Sequence, residues 1–329
     1  MKDDIRLLDL PLKPGDPPFS AWGYWGPEDE IGTLNWLSKD VVRQAAAEIV
    51  SGARFSLNWG LNMPTTAGFG RHECRLSHTI YQPGPMLALD EEVSFNTQRS
   101  SQWDGQRHFA YQKEQLFYNG VKLEEILSGS STLGMQNWHK AGGLAGRAIL
   151  LDYWSYTEAM GETYDAAQEA HAITFDNLMA CLQYQQNLSS TPIIPRQGDF
   201  VLIRSGFTHC YQKLKADQER AIATVSAPIT CGVEQDVRML EWLWEHRIAA
   251  VGGDAPAWEV LPPTCKGSAG FLYHEVLIAG WGCPIAEYLW LEDLAEYCKR
   301  EKRWTMFLSS CPLNVQGGVA SPANLMAIL

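Results

Sequence analysis

Clusters of Lys and Arg are missing from this chain of 329 residues, in which 26 basic side chains stand against 38 acidic ones for a net charge of −12. Phosphate backbones are held by grouped cations, so the balance argues against a nucleic-acid partner. Long apolar runs are missing too. None approaches the roughly 18 residues of a membrane span, and the opening Met-Lys-Asp-Asp-Ile-Arg is charged where a signal peptide would be apolar. The expectation is a cytoplasmic protein with no membrane contact. No C-x-x-C pair occurs among the eight cysteines (74, 181, 210, 231, 265, 283, 298 and 311), which argues against a zinc ribbon or a dithiol redox motif. Most of these thiols are expected to be reduced and buried. A G-x-S-x-G elbow is lacking, so a serine hydrolase has no candidate nucleophile. No repeat, low-complexity tract or flexible linker divides the chain, and one domain over residues 1–329 is the simplest organisation.

What is present suits a large core, since 46% of the residues are hydrophobic. Pro11, Pro14, Pro17 and Pro18 make residues 1–20 an extended lead-in, of a kind that wraps a neighbour. Ser38 then caps a helix in which Val42, Ala45, Ala46, Ile49 and Val50 recur at helical spacing, with Gly52 as its left-handed stop. The short apolar runs 146–152, 198–204 and 247–254 read as buried strands. Between and after them, 173–185, 233–246 and 284–299 carry helical periodicity. Strands alternating with helices predict an α/β fold.

The densest polar cluster is Asn96-Thr-Gln98-Arg-Ser-Ser-Gln102-Trp-Asp104-Gly-Gln-Arg-His108-Phe. In an extended strand Gln98, Gln102 and Asp104 project from one face, and His108 joins them if the extension continues past Gly105. A carboxylate with carboxamide oxygens can hold a divalent cation, and an imidazole beside it can move a proton. Polar residues of one parity more often mark the wet face of an edge strand, so spacing by itself makes this a weak signal.

The same segment resembles the signature His-x-Gly-Thr-His-x-Asp-x-Pro-x-His-Phe of the cyclase family, which includes kynurenine formamidase and isatin hydrolase. Asp104, His108 and Phe109 match it, whereas Gln98 and Gln102 stand at the two metal-ligating histidines and Gln106 at the proline. Amide oxygen is harder and weaker than imidazole, favouring Mn²⁺, Mg²⁺ or Ca²⁺ over Zn²⁺, or no metal at all. Leu272-Tyr-His274 and, farther on, Glu287 in Pro284-Ile-Ala-Glu-Tyr-Leu resemble the family's second His and Glu pair, which can bind a second cation. By its own context Glu287 would complement a helix dipole, and His274 would be a core residue. Residues 25–35, 147–152, 198–204 and 253–256 also look like the family. The tail Pro312-Leu-Asn-Val-Gln-Gly-Gly318 is similar to its longer, fungal-like or bacterial branch.

The resemblance implies the swivelling β/β/α fold, a mixed sheet with flanking helices, assembled as a homodimer or homotetramer in which the N-terminal segment reaches a partner. It implies a hydrolase for an amide, lactam or ester of a small aromatic molecule. Asp104 and His108 would be catalytic, and Gln98, Gln102, Asp104, His274 and Glu287 would hold Mn, Zn or Mg. Trp25, Trp103 and Trp258, with Trp22, are candidates to line a pocket for a flat ring, core packing being the commoner use of such residues. A lyase or cyclase of secondary metabolism, metal-free or metal-assisted, in which His108 and Asp104 do acid–base work, and a catalytically silent small-ligand-binding protein are the alternatives. His72-x-Cys74-x-x-x-His78 lacks the fourth ligand of a closed zinc site. Gly142-Gly-Leu-Ala-Gly146 precedes a strand, where a dinucleotide loop would follow one, and reads as a turn.

Overall fold

In a computed structural model that describes residues 5–82, 84–226, 228–264 and 270–329, the apolar runs become strands. Cys265 and the first four residues of the lead-in lie outside the described residues. Thirteen strands occur among the described ones: β1 (Arg54–Ser56), β2 (Arg75–Tyr81), β3 (Ala88–Ser94), β4 (Gln102–Asp104), β5 (Leu144–Leu151), β6 (Ala172–Ile173), β7 (Phe200–Ile203), β8 (Gly232–Val233), β9 (Ala250–Gly253), β10 (Ile285–Glu287), β11 (Thr305–Ser310), β12 (Ala320–Pro322) and β13 (Leu325–Ile328). Nine form one mixed sheet in the order β1-β13-β11-β5-β7-β9-β10-β4-β12, and two small sheets pair β2 with β3 and β6 with β8. At the centre β5, β7, β9 and β10 run parallel, and antiparallel strands flank them on both sides. Every residue of β7, β9 and β10 is buried, the mark of parallel strands covered on both faces.

The covering helices follow their capping signals. Thr174 accepts a hydrogen bond from Asn177 N to open the helix Phe175–Leu188, and Asp236 accepts one from Arg238 N to open Val237–Glu245. The second of these buries Met239, Leu240, Leu243 and Trp244 against the sheet. Ser38 caps as expected, with Val41 N on its hydroxyl, but that helix stops at Ala45 and only a 3-10 turn, Ala46–Glu48, follows. Ile49 and Val50 are exposed because the chain turns there to bring the Glu48 carboxylate to Arg196, Arg303 and Thr305. Gly52 takes the expected left-handed backbone at φ +75°.

A larger correction concerns 284–299, where helical periodicity misleads. Ile285–Glu287 is a sheet strand, and the helix begins only at Glu292 and runs to Glu301. Pairing with β9 on one side and β4 on the other overrides the local pattern. Glu287 therefore sits on a strand instead of at a helix N-terminus, directly across from Gln102.

One hydrophobic cluster runs from Leu7 to Leu329 through both sides of the sheet. The described part of the lead-in is fastened to its own chain. Trp244 Nε1 donates to Ile5 O, Tyr111 Oη to Pro18 O and Trp281 Nε1 to Phe19 O. The seven described cysteines are free, and Cys181, Cys231, Cys283 and Cys298 are buried. Among the described residues no helix is long and apolar enough to cross a membrane.

Strand alternation assigns Trp103 to this core. Gln102 and Asp104 leave β4 on one face, so Trp103 leaves on the other, where it is fully buried, donates to Ser310 Oγ at 3.0 Å and meets the edge of Trp138. Its expected place in a substrate pocket is thereby corrected. Trp103→Ala should cost roughly 3–5 kcal/mol of stability by emptying that space, read as a lowered urea midpoint. A midpoint within experimental error of the parent would contradict the core assignment.

Candidate active site

Three separate stretches of chain converge on Asp104. β4 is antiparallel to β10, and the register sets Gln102 opposite Glu287 and Asp104 opposite Ile285. The turns on either side of β4 bring Gln98 and His108 back over the strand, where continued extension was the expectation. His108 N closes the second of these on Gly105 O at 2.9 Å. His274 arrives from the opening of a helical turn that continues as a π-helix, Glu275–Gly280, a distortion common at functional sites.

The Asp104 carboxylate is fully buried. Gln98 Nε2 donates to its Oδ1 at 2.6 Å and Gln102 Nε2 lies 3.3 Å from the same oxygen. Oδ2 has no hydrogen-bond partner, and His108 Nε2 and His274 Nε2 each lie 3.6 Å from it. Glu287 is the second buried acid: Oε2 accepts from Gln102 Nε2 at 2.8 Å, and Oε1 accepts from Trp258 N at 3.1 Å and lies 3.2 Å from His274 Nε2. The His and Glu expected to form a second cation site thus face the same point as Asp104. The site is one cluster.

A third acid, Glu259, is absent from the sequence reading. Its Oε1 meets His274 Nδ1 at 2.6 Å and accepts from His274 N, while Oε2 takes Tyr273 N at 2.5 Å and Gln235 Nε2 at 3.1 Å. A carboxylate on Nδ1 fixes the ring and leaves Nε2 facing the site, the outer support usual for a metal-ligating histidine. Glu259 lies just past the family-like Gly253-Asp-Ala-Pro256, but nothing in its spacing ties it to His274.

Burial raises the Glu287 carboxyl to about 7, with Asp104 adding to the effect. Burial pushes Asp104 the same way, yet the imidazoles of His108 and His274 outweigh it and hold this acid below its ordinary range. Burial would lower His274, but Asp104, Glu259 and Glu287 reverse that and raise it well above the usual histidine value. His108 goes down, because its burial outweighs the pull of Asp104. The site thus contrasts a neutral imidazole at its edge with an imidazole shared among three carboxylates.

Two buried oxygens in the cluster have no partner, Asp104 Oδ2 and Gln102 Oε1. Ligand atoms of Asp104, His108 and His274 lie within 4.8 Å of one another, close enough to share an ion. The donors suit a divalent cation, with two imidazole nitrogens, one carboxylate oxygen and an unpaired amide oxygen. Gln98 is used differently from the expectation: its Nε2 holds Asp104, and its Oε1 accepts from Gln102 Nε2 at 2.8 Å. Both oxygens of Glu287 are likewise engaged.

The aromatic candidates separate. Trp258 flanks the site, its backbone N–H holding Glu287 and its ring 5.0 Å from Tyr273. Trp25 packs among Tyr24, Trp36 and Trp244, and Trp22 donates to Ala279 O beside Tyr111, so both rings have packing partners of their own. Gln106, where the family pattern has proline, bridges Trp138 Nε1 and Gly282 O. His78 is exposed on β2, 3.9 Å from Glu91, and joins no metal cluster among the described residues.

The family model described as "Putative cyclase" matches residues 56–260, more than half of the chain. The chain belongs to this family. A crystal structure described as a novel cyclase is 26% identical, with a TM-score of 0.79 over 94% of this chain and 99% of that one. An isatin hydrolase bound to the product analogue thioisatinate is 16% identical, with a TM-score of 0.55 over 90% of this chain and 98% of that one. Isatin hydrolase A from Ralstonia solanacearum is 16% identical, with a TM-score of 0.54 over 84% and 91%. At that identity the two hydrolases show a shared fold. No curated protein gives a significant match. His274 and Glu287 both lie beyond the matched segment, so their place in the site comes from the geometry.

Removing the Glu259 charge tests its support of His274. Glu259→Gln should weaken Mn²⁺ or Zn²⁺ binding about tenfold or more, measured by isothermal titration. Affinity equal to the parent's would show that His274 needs no such partner.

Proposed function

We propose that the protein is a metal-assisted hydrolase that opens an amide, lactam or ester bond of a small aromatic molecule. The observation that carries this reading is the buried, unpartnered Oδ2 of Asp104 facing two imidazole nitrogens. Asp104 and His274 would hold the ion, with Gln102 Oε1 as a further oxygen donor, and His108 would stand beside it as the proton carrier. A divalent cation bound there supplies Lewis-acid activation of a carbonyl and of water.

The chain's own residues supply the remaining functions. Gln98 and Gln102 orient the carboxylates of Asp104 and Glu287 by donating to them. Glu259 fixes the His274 ring. His108 lies at the edge of the cluster with its side chain 20% exposed, so substrate and water can reach it. Burial keeps it neutral at neutral pH, ready to accept a proton. In the reaction water oxygen forms the new bond to the carbonyl carbon, and the C–N or C–O bond breaks. His108 takes the proton from water and returns it to the departing nitrogen or oxygen.

Membership of the cyclase family supports hydrolysis at this site, and the fold shared with isatin hydrolases is consistent with a cyclic amide as substrate. The cytoplasmic location and a homodimeric or homotetrameric assembly belong to the same proposal.

His108→Ala is the direct test of the proton step. With Mn²⁺ or Zn²⁺ saturating, kcat on whichever lactam, formamide or ester the parent cleaves should fall about 10²–10⁴-fold while the variant still binds the ion. A kcat within about twofold of the parent would remove His108 from the mechanism. A parent that turns over nothing with metal, yet eliminates or cyclises a substrate after chelation, would replace hydrolysis by metal-free lyase chemistry.

A further inference from the structure

β2 and β3 form a ribbon that pairs with no other strand. Its residues from Arg75 to Ile80 and from Ala88 to Ser94 are all exposed. The register sets Leu76 opposite Val93, His78 opposite Glu91 and Ile80 opposite Leu89, and strand alternation sends these side chains to one face. Ser77, Thr79, Asp90 and Glu92 leave on the other. The ribbon is thus amphipathic with its apolar face in solvent: Leu76, Ile80, Leu89 and Val93 are 41–66% exposed, and Met86 and Leu87 extend the patch at the tip. Two strands by themselves are marginal in water and need their apolar face packed on something. A contiguous exposed apolar patch marks an interaction site.

The charges at the centre of this face identify what covers it. His78 Nε2 lies 3.9 Å from Glu91 Oε2, and an apolar pair flanks them on each side along the ribbon. Such a face is complementary to itself. Two copies stacked with their strands aligned, a common packing of sheet on sheet, can be related by a two-fold axis along the strands or across them. The axis along the strands sets His78 against the partner's Glu91 and each apolar pair against its own counterpart. The axis across the strands sets like charge on like, which disfavours association. Charge therefore selects the first arrangement, an isologous contact in which both ribbons point the same way.

The ribbon also stands on the candidate active site. Arg71 and Glu73 lead into β2, and Gln98 and Arg99 follow β3. Arg71 donates to Gln98 O, Arg99 Nη2 pairs with Glu73 at 2.7 Å, and Gln98 Nε2 holds Asp104. The two feet of the ribbon are clasped where the Asp104 carboxylate is held.

We propose that the apolar face of this ribbon is a homodimer interface, on which a second copy of the chain lays its own ribbon about a two-fold axis parallel to the strands, with the two candidate sites at the base of the pair. The inference rests on the proposed homo-oligomeric assembly, to which it gives a surface, and stands apart from the hydrolytic chemistry.

The test is the mass in solution of the full chain, by size exclusion with light scattering, for the parent, Glu91→Lys, His78→Glu, an equimolar mixture of these two variants, and the double variant Ile80→Ser with Leu89→Ser. Each charge variant sets like charges across the axis and should weaken self-association about a hundredfold or more, halving the parent's mass. In the mixture every charge again meets its opposite, and the parent's mass should return. The serine pair removes apolar surface without touching the charges and should also halve the mass. All four positions are exposed, and an unchanged far-UV circular dichroism spectrum checks that each variant is folded. A monomeric parent would overturn the interface. A mass unmoved by every substitution would overturn it too, while leaving assembly through another face and the hydrolytic reading intact. Charge variants that halve the mass without recovery on mixing would overturn the two-fold pairing of His78 with Glu91.

Discussion

Three carboxylates, Asp104, Glu259 and Glu287, are buried around one imidazole ring, and the rest of the site is arranged around that concentration of charge. Burying an ionised acid is costly unless it is paired and hydrogen-bonded. Glu259 meets the condition fully, with two backbone N–H groups, one amide and the His274 ring. Asp104 and Glu287 meet it only partly, and the strain shows in opposite ways: Asp104 stays ionised with one oxygen unpaired, and Glu287 is pushed up to about 7. A protonated His274 balances part of the charge in the protein alone. A divalent cation would balance more of it, while engaging the oxygens that lack a partner.

This constraint also explains the glutamines. Imidazoles at 98 and 102 would be ligands competing for the same ion, whereas the amides here donate to the acids through one end and offer oxygen at the other. Gln102 is the clearest case, with its Nε2 on Glu287 and its Oε1 unpaired. The departure from the family pattern would move ligation toward His274, whose ring is held by Glu259. His108 then remains at the exposed edge, where a proton carrier is useful.

Much of this was legible in the chain, and the failures have physical causes. β5, β7 and β9 announce themselves as continuous apolar runs because both of their faces are covered. β10 does not, since three residues carry no period of their own and their strand state is imposed by distant partners. The parity that groups Gln102 with Asp104 also sends Trp103 to the opposite face, so its core role was implicit in the same argument. Residues 98 and 108 reach the site through turns that strand parity does not describe. Glu259 could not be found from spacing, because its contact with His274 is made by the fold of the intervening loop and not by a helical or strand repeat.

The central claim is that the unpaired oxygen of Asp104 and the His274 imidazole beside it form a divalent-metal site, with His108 next to it to move a proton. Elemental analysis by plasma mass spectrometry, on the parent and on Asp104→Ala after incubation with Mn²⁺, Zn²⁺ or Mg²⁺ and removal of loosely bound ions, tests it most directly. The account predicts close to one equivalent of one of these metals in the parent and a large loss in the variant. Equal metal content in the two proteins, or none retained by either, would contradict it.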